Sequence, residues 1–345
     1  MKRAPRALAA LVALAAASLG LAGCGGDDAQ GAAPTSLRLG YFPNITHAPA
    51  LVGIEKGIIQ QQLGDIKLDT KTFNAGPAAI EALFSGAIDA TYIGPNPAIN
   101  AHAQSKGVAI RIVAGGASGG VALVVKPGIN GPQDLKGKKI ATPQLGNTQD
   151  VAVRYWLKQN GLSTTKEGGG DVKIIPQENA QTVETFGANQ IDGAWVPEPF
   201  ASRLVSAGGK VLVDERDLWP DKKFVITHLI VRTEFLQKHP DAVRKLVEAH
   251  VSSTEFIKTK PDEAQQAVSD HIGKISGKPL DLKLIKQAWP TLEFLNDPIA
   301  SSLKSGADHA IEIGLLEKVD LKGIYDLTIL NEVLKAKGQP EVKGL

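Results

Sequence analysis

The sequence predicts an α/β fold in two lobes, and three observations carry that expectation. Short apolar runs alternate with helical patterns from Leu37 onward, the β-α-β-α rhythm of a largely parallel sheet. The rhythm pauses after Lys126 and restarts at Ile140. About 300 residues remain for the folded part, more than one hydrophobic core usually covers.

The elements follow in order. Residues 37–41 read as a strand and 47–56 as a helix; 66–73 is a strand and 77–85 a helix with Pro77 in its first turn. Residues 89–93 form a strand and 97–104 a helix. Strands at 110–114 and 121–125 are separated by the glycine-rich stretch 115–120. The second lobe begins with a strand at 140–142 and a helix at 148–160, closed by Gly161. Residues 163–171 are a loop. Strands at 172–175, 193–196 and 211–213 alternate with helices at 180–188 and 198–206. A long strand at 224–231 crosses back, and helices at 233–259, 262–275, 281–289, 298–314 and 325–337 complete the chain. The predicted organisation is lobe 1 from 37–122 and 228–345, the latter bringing the C-terminal helices, with 123–227 as lobe 2.

The N-terminus has a separate character. Lys2, Arg3 and Arg6 precede an apolar run over 7–21, and Leu21-Ala22-Gly23-Cys24 holds the single cysteine among 345 residues. This is the order of a secretory signal with a cysteine where cleavage falls. Leu-Ala-Gly-Cys resembles the bacterial lipobox, whose cysteine is acylated and becomes the mature N-terminus. The expectation is a signal peptide at 1–23, lipidation at Cys24, a small polar tether over 24–36, and a location on the outer face of the cell membrane. The alternative is an ordinary signal peptide or a short spanning helix, but the run falls short of the ~20 residues a span needs.

Composition excludes several classes. The net charge of +2 becomes −1 without residues 1–23, and no basic stripe or aromatic cluster points to nucleic acid. One cysteine leaves no disulfide within the chain. The histidines at 102, 228, 239, 250, 271 and 309 lack zinc-ligand spacing, and no nucleophile elbow, Walker or dinucleotide motif sits in the right context. No catalytic residue, metal or cofactor is expected, and the expectation is a monomer that is not an enzyme.

Chemistry concentrates where strands give way to helices. The junctions are 41–47, 73–77, 94–97, 144–149 and 195–199, rich in Gly, Pro, Asn, Gln and Thr. In open α/β sheets ligands bind beyond the carboxyl ends of the strands. Helices starting there aim free N–H groups and positive dipole ends into the cleft, a setting for an anion without basic side chains.

Three segments then carry a resemblance: Phe73-Asn-Ala-Gly-Pro-Ala-Ala-Ile-Glu-Ala-Leu-Phe-Ser-Gly-Ala-Ile-Asp-Ala, Ala141-Thr-Pro-Gln-Leu-Gly-Asn-Thr-Gln-Asp, and Phe186-Gly-Ala-Asn-Gln-Ile-Asp-Gly-Ala-Trp-Val-Pro-Glu-Pro-Phe. With Leu39-Gly-Tyr and 134–141, they resemble the substrate-binding proteins of ABC importers for aliphatic sulfonates, taurine and nitrate. The resemblance runs over about residues 37–260 and implies a type II periplasmic-binding fold with two crossing strands. It also implies closure on a small organic anion, and permease and ATPase subunits as partners. An aliphatic sulfonate or taurine heads the candidate ligands. Nitrate, bicarbonate or a thiamine-precursor pyrimidine remain open, as does a pyrimidine-precursor synthase of similar fold.

Individual residues carry two readings each. Asn147 and Thr148 cap a helix or meet ligand, and the two roles are compatible; Gln149 follows them. Asn44, Thr46 and His47 stand at the first junction, Asn74 and Gly76 at the second, Asn96 at the third, and Gly120 beside a crossing strand. Trp195 and Glu198 either form one aromatic and acidic wall, which would hold a taurine-like amine or stack on a pyrimidine, or pack as core Trp and first-turn Glu. Tyr41 and Phe42 read more readily as core, and Arg154 and Arg203 as solvated helix faces. The helix-to-strand turns at 86–89 and 189–192 read as structural.

Overall fold

The computed structural model describes residues 34–345. The expected signal peptide, Cys24 and nearly all of the tether lie outside the described residues. The chain runs β1 (Ser36–Tyr41), a 3-10 turn (Ile45–His47), α1 (Ala48–Glu55), α2 (Ile58–Leu63), β2 (Lys67–Thr72), α3 (Gly76–Phe84), β3 (Ala90–Ile93), α4 (Pro95–Gln104) and β4 (Ile110–Gly119). It continues with β5 (Val121–Val125), β6 (Lys139–Thr142), α5 (Thr148–Gln159), β7 (Lys173–Pro176), α6 (Asn179–Gly187), β8 (Gly193–Pro197), α7 (Phe200–Ser206) and β9 (Lys210–Asp214). It ends with β10 (Val225–Arg232), α8 (Thr233–Lys238), α9 (Pro240–Thr259), α10 (Pro261–Ser276), α11 (Leu282–Ala288), β11 (Leu292–Phe294), α12 (Ala300–Glu312) and α13 (Thr328–Ala336).

The α/β class is borne out by two mixed sheets. One has six strands in the order β11-β4-β10-β3-β1-β2, the other five in the order β7-β6-β8-β5-β9. In the first, β1 pairs in parallel with β2 and β3, while β10 runs antiparallel between β3 and β4. In the second, β6 pairs in parallel with β7 and β8, while β5 is antiparallel to β8 and β9. The chain passes from one sheet to the other between β4 and β5 and returns between β9 and β10. Among the described residues no helix is long and apolar enough to cross a membrane.

The two sheets share one device for starting their strands. Gly86 (φ +71°) and Asn189 (φ +56°) turn a helix back toward a strand. The aspartate three residues later then accepts from the neighbouring strand: Asp89 Oδ2 from the Arg38 N–H and Asp192 Oδ2 from the Lys139 N–H, both at 2.9 Å. Asp89 is buried and also binds the Arg38 guanidinium at Nε (2.9 Å), with Arg232 Nη2 3.5 Å away.

The first expectation to fail is the glycine-rich loop at 115–120, because β4 continues through it to Gly119. These glycines serve close approach: a Cβ on Gly115 would lie 2.1 Å from the Asp297 carbonyl oxygen, and one on Gly119 2.3 Å from that of Thr291. The predicted helix 233–259 is two helices, broken at His239 (φ −136°, ψ 55°), because the residue before Pro240 is pushed out of the α region. The short α2 and β11 were not anticipated.

The C-terminal helices pack on the first sheet's helical layer through apolar faces and polar hooks. Tyr41 Oη meets His271 Nε2 at 2.9 Å, and Tyr92 Oη meets His250 Nδ1 at 3.0 Å. His228 Nε2 and His102 Nε2 donate to the carbonyls of Pro298 (3.0 Å) and Asp320 (3.1 Å). On the other side, His309 of α12 stacks on Tyr155 of α5, a helix of the five-stranded half, at 3.6 Å between ring centroids. Most of these histidines thus serve the packing of helices.

Candidate functional site

A cavity lies between the two sheets, walled by the expected junctions. From the six-stranded side come Asn44, Thr46 and His47 of the first junction, then Asn74 and Gly94. From the five-stranded side come Pro143, Asn147, Thr148, Gln149 and Asn179. Phe42, Pro197 and Ile226 complete it, and no Lys or Arg is among these residues. The cavity holds only about 20 Å3, room for about one water, so a larger solute enters only if the walls part.

The polar groups are held by their own helices and loops. His47 is buried, stacks on Phe42 at 4.5 Å, and accepts the Phe42 N–H at Nδ1 (3.3 Å). Burial pushes the imidazole down to about 3, so it is neutral at physiological pH, with the remaining proton on Nε2 as a donor. The loop before α5 is pinned by buried Asp150, which accepts from Gly146 N–H (3.0 Å) and the Thr142 hydroxyl (3.1 Å). Arg154 Nε neutralises Asp150 at 3.1 Å. Arg154 is therefore buried rather than solvated.

The helix starts remain open. Gly94, Asn147 and Glu178 stand at the N-caps of α4, α5 and α6, and none makes a side-chain cap bond. Asn147 instead donates from Nδ2 to Gln149 Oε1 (2.9 Å), and Glu178 Oε1 accepts from Asn74 Nδ2 (2.7 Å), joining the two sides of the cleft. First-turn N–H groups of α5 and α6 thus meet the cavity uncapped, whereas α4 offers at most the Asn96 N–H in its first three positions because Pro95 and Pro97 have none. Two buried groups on its wall, the Thr148 hydroxyl and the Asn179 amide oxygen, have no hydrogen-bond partner among the described residues.

Of the expected site residues, the structure brings together Asn44, Thr46, His47, Asn74, Asn147, Thr148 and Gln149. Gly76 stands beside them: a Cβ there would lie 2.2 Å from Pro97 and 3.3 Å from Asn147 Oδ1, so its small size lets the two sides approach.

Four expectations are corrected. Trp195 is fully buried in its lobe's core, packs on Trp156, and donates from Nε1 to Glu215 at 2.6 Å, because it lies inside β8, two residues short of the strand end at Pro197 that reaches the cavity. Burial pushes Glu215 up to about 7. Glu198 turns back to accept from the Ser202 N–H (3.1 Å) and hydroxyl (2.9 Å), and it faces a separate pocket with Val211 and Asp214. Its carboxyl is raised by burial, against the pull of those bonds. Asn96 donates to the Gly306 carbonyl (3.1 Å) and so anchors α12. Gly120 (φ +68°) turns the chain between sheets, its N–H bound to Thr291 O at 2.8 Å.

Phe42, Gly94, Pro143, Asn179, Pro197 and Ile226 were not among the expected contacts. Asn179 was findable, since it follows β7 at a junction of the same kind. Ile226 carries no local signal, being one apolar residue among many on β10.

The sequence pattern of the NMT1-like family matches residues 30–272. The chain belongs to the NMT1-like family. A candidate binding protein of Brucella abortus is 32% identical over 216 residues, 61% of this chain and 63% of its own length. The match thus spans less than two thirds of that relative. A candidate aliphatic sulfonates-binding protein of Bacillus subtilis is 27% identical over 341 residues, covering 94% of this chain and 96% of the relative. Among solved structures, the periplasmic nitrate-binding protein NrtA of Synechocystis superposes with a TM-score of 0.74 at 18% identity, covering 88% and 89% of the two chains. The expected resemblance and the periplasmic-binding fold are borne out for this NMT1-like member, and the relatives bear the names of binding proteins.

Proposed function

We propose that this protein is the extracytoplasmic solute-binding component of an ABC importer and captures a small organic anion, an aliphatic sulfonate, between its lobes. The observation that carries the proposal is the interlobe cavity walled by open helix starts and neutral donors, with unpartnered Thr148 at its wall. Such a site favours negative charge without burying a counter-ion, whose desolvation would oppose binding. The names of the sulfonate- and nitrate-binding relatives agree with this class.

The two bodies that part to admit ligand and close on it are the six-stranded half, Ser36–Gly119 with Val225 onward, and the five-stranded half, Val121–Asp214. The expected edges at 122 and 227 shift so that β5 and β10 stay whole, and ligand contacts from both sides favour the closed state. An apolar groove opens from the cavity past Phe200, Ile272 and Leu284, giving an organic chain a path that nitrate would not use. A taurine amine beside Glu198 and a pyrimidine stacked on Trp195 lose their footing, since both side chains face elsewhere. Delivery to a permease and ATPase follows from the class, and no bond is made or broken.

The test is a thermal-shift and calorimetric screen with alkanesulfonates, taurine, nitrate, bicarbonate and pyrimidines. A true ligand at a hundred times its Kd adds about 2.7 kcal/mol of stability. Stabilisation by neutral or cationic compounds alone would overturn the anion reading. For the lipid anchor proposed at Cys24, Cys24→Ala should release the protein from the membrane fraction. Retention of that variant would refute the anchor.

A further inference from the structure

The groove that leaves the cavity has a volume of about 710 Å3 and shares Asn44, Asn74 and Asn179 with it. It is continuous with the head-group site and runs outward between α7 and the corner joining α10 to α11. Its floor is apolar, with Phe200 on one side and Ile272, Leu280 and Leu284 on the other. Its charges are uneven. Arg203 stands in the α7 wall, half-buried, with its guanidinium 5.7 Å from the Phe200 ring centroid. Among the described residues the Arg203 guanidinium makes no ion pair. Lys278 adds a second cation at the rim. The one carboxylate in the lining, Asp281, caps α11 by accepting the Lys283 N–H at 2.8 Å.

A guanidinium that is half-buried, unpaired and seated in a ligand-sized groove is suited to a carboxylate, which it can meet with two parallel hydrogen bonds. The Phe200 ring, 5.7 Å away, attracts the guanidinium as a cation and favours its place in the groove. We propose that the ligand is a dianion: a sulfonate head at the helix starts, an apolar linker along the groove, and a carboxylate at its far end on Arg203. This deepens the proposed function and rests on its reading of the cavity as the head-group site. It selects against ω-amino sulfonates, whose ammonium would face Arg203 and Lys278.

Calorimetry on the purified full-length protein in detergent tests the assignment. The probes are alkanesulfonates with three- to six-carbon chains, their ω-carboxylate analogues and their ω-amino analogues. At one chain length the carboxylate should bind about tenfold tighter than the plain alkanesulfonate, and the amine should bind weakest. Arg203→Gln should reduce the carboxylate analogue to the level of the plain alkanesulfonate while leaving the latter within about twofold, and Arg203→Lys should keep part of the gain. Equal affinities at every chain length, or a preference for the amine, would overturn the dianion assignment while leaving the head-group site standing. Equal weakening of all probes in Arg203→Gln would also overturn it, since Arg203 would then act by positioning α7. Failure of every sulfonate to bind would overturn both readings.

Discussion

Replacing Thr148 by valine should make the empty protein more stable and the ligand weaker. The Thr148 hydroxyl is buried without a partner among the described residues, and Gly94 closes over it so tightly that a Cβ on that glycine would lie 2.5 Å away. An unsatisfied buried hydroxyl costs about 1–3 kcal/mol. Valine keeps the branched shape and removes that penalty, but its methyl is larger than a hydroxyl against Gly94, so a net gain of about 1 kcal/mol is expected. For a chain of this size that is a rise of about 2 °C in Tm. Binding runs the other way. A hydroxyl donating to an anion contributes about 1.5–3 kcal/mol, so losing it weakens affinity by about tenfold to a hundredfold. Urea denaturation of the free protein and calorimetry with a bound alkanesulfonate read the two effects, and Thr148→Ser should retain affinity. A Thr148→Val protein that is less stable and binds as before would refute the reasoning, because the hydroxyl would then be a structural group.

Four further outcomes are expected. Trp195→Phe should lower stability by about 1–3 kcal/mol by stripping the buried Glu215 of one donor, yet leave Kd within about twofold in calorimetry; a large loss of affinity would return Trp195 to the site. Asp89→Ala should cost about 1–3 kcal/mol in urea titrations, because it removes the buried acceptor of the Arg38 N–H and guanidinium. Glu178→Ala removes the bridge from Asn74 across the cleft and should raise the ligand's off-rate several-fold in stopped-flow release with little change in on-rate. Stability should also fall with acid. His47, His228 and His250 are held near 3, 4 and 4 by burial, so the unfolded chain takes up their protons below about pH 6.5 while the folded one does not. Buried Glu198 and Glu215, both raised, oppose this by binding protons in the folded state first. Burial lowers His102, His271 and His309 as well, so the histidines outweigh the two carboxyls and stability should fall from about pH 6 to 5. A flat denaturation midpoint over that range would contradict it.

The alternation of strand and helix was legible because apolar periodicity and turn chemistry are local. So were the junctions, since a chain leaving a strand for a helix announces itself with Gly, Pro, Asn and Thr. Even the matched aspartates at 89 and 192 stood out as a repeated helix-to-strand turn. Other features were not local. The glycines at 115–119 looked like a loop, and only the backbones of Thr291 and Asp297 pressing on them explain a glycine-rich strand.

What the sequence determined alone, then, is a two-sheet α/β scaffold with polar helix starts available for a ligand. Tertiary packing decided which of those polar groups face it. Trp195 found Glu215, Glu198 found Ser202, Asn96 found the Gly306 carbonyl and Arg154 found Asp150. Thr148 found no partner and was left facing the cavity. The reason is physical: a buried polar group turns toward whatever satisfies it, and partners up to 230 residues away along the chain cannot be read from its neighbours in sequence.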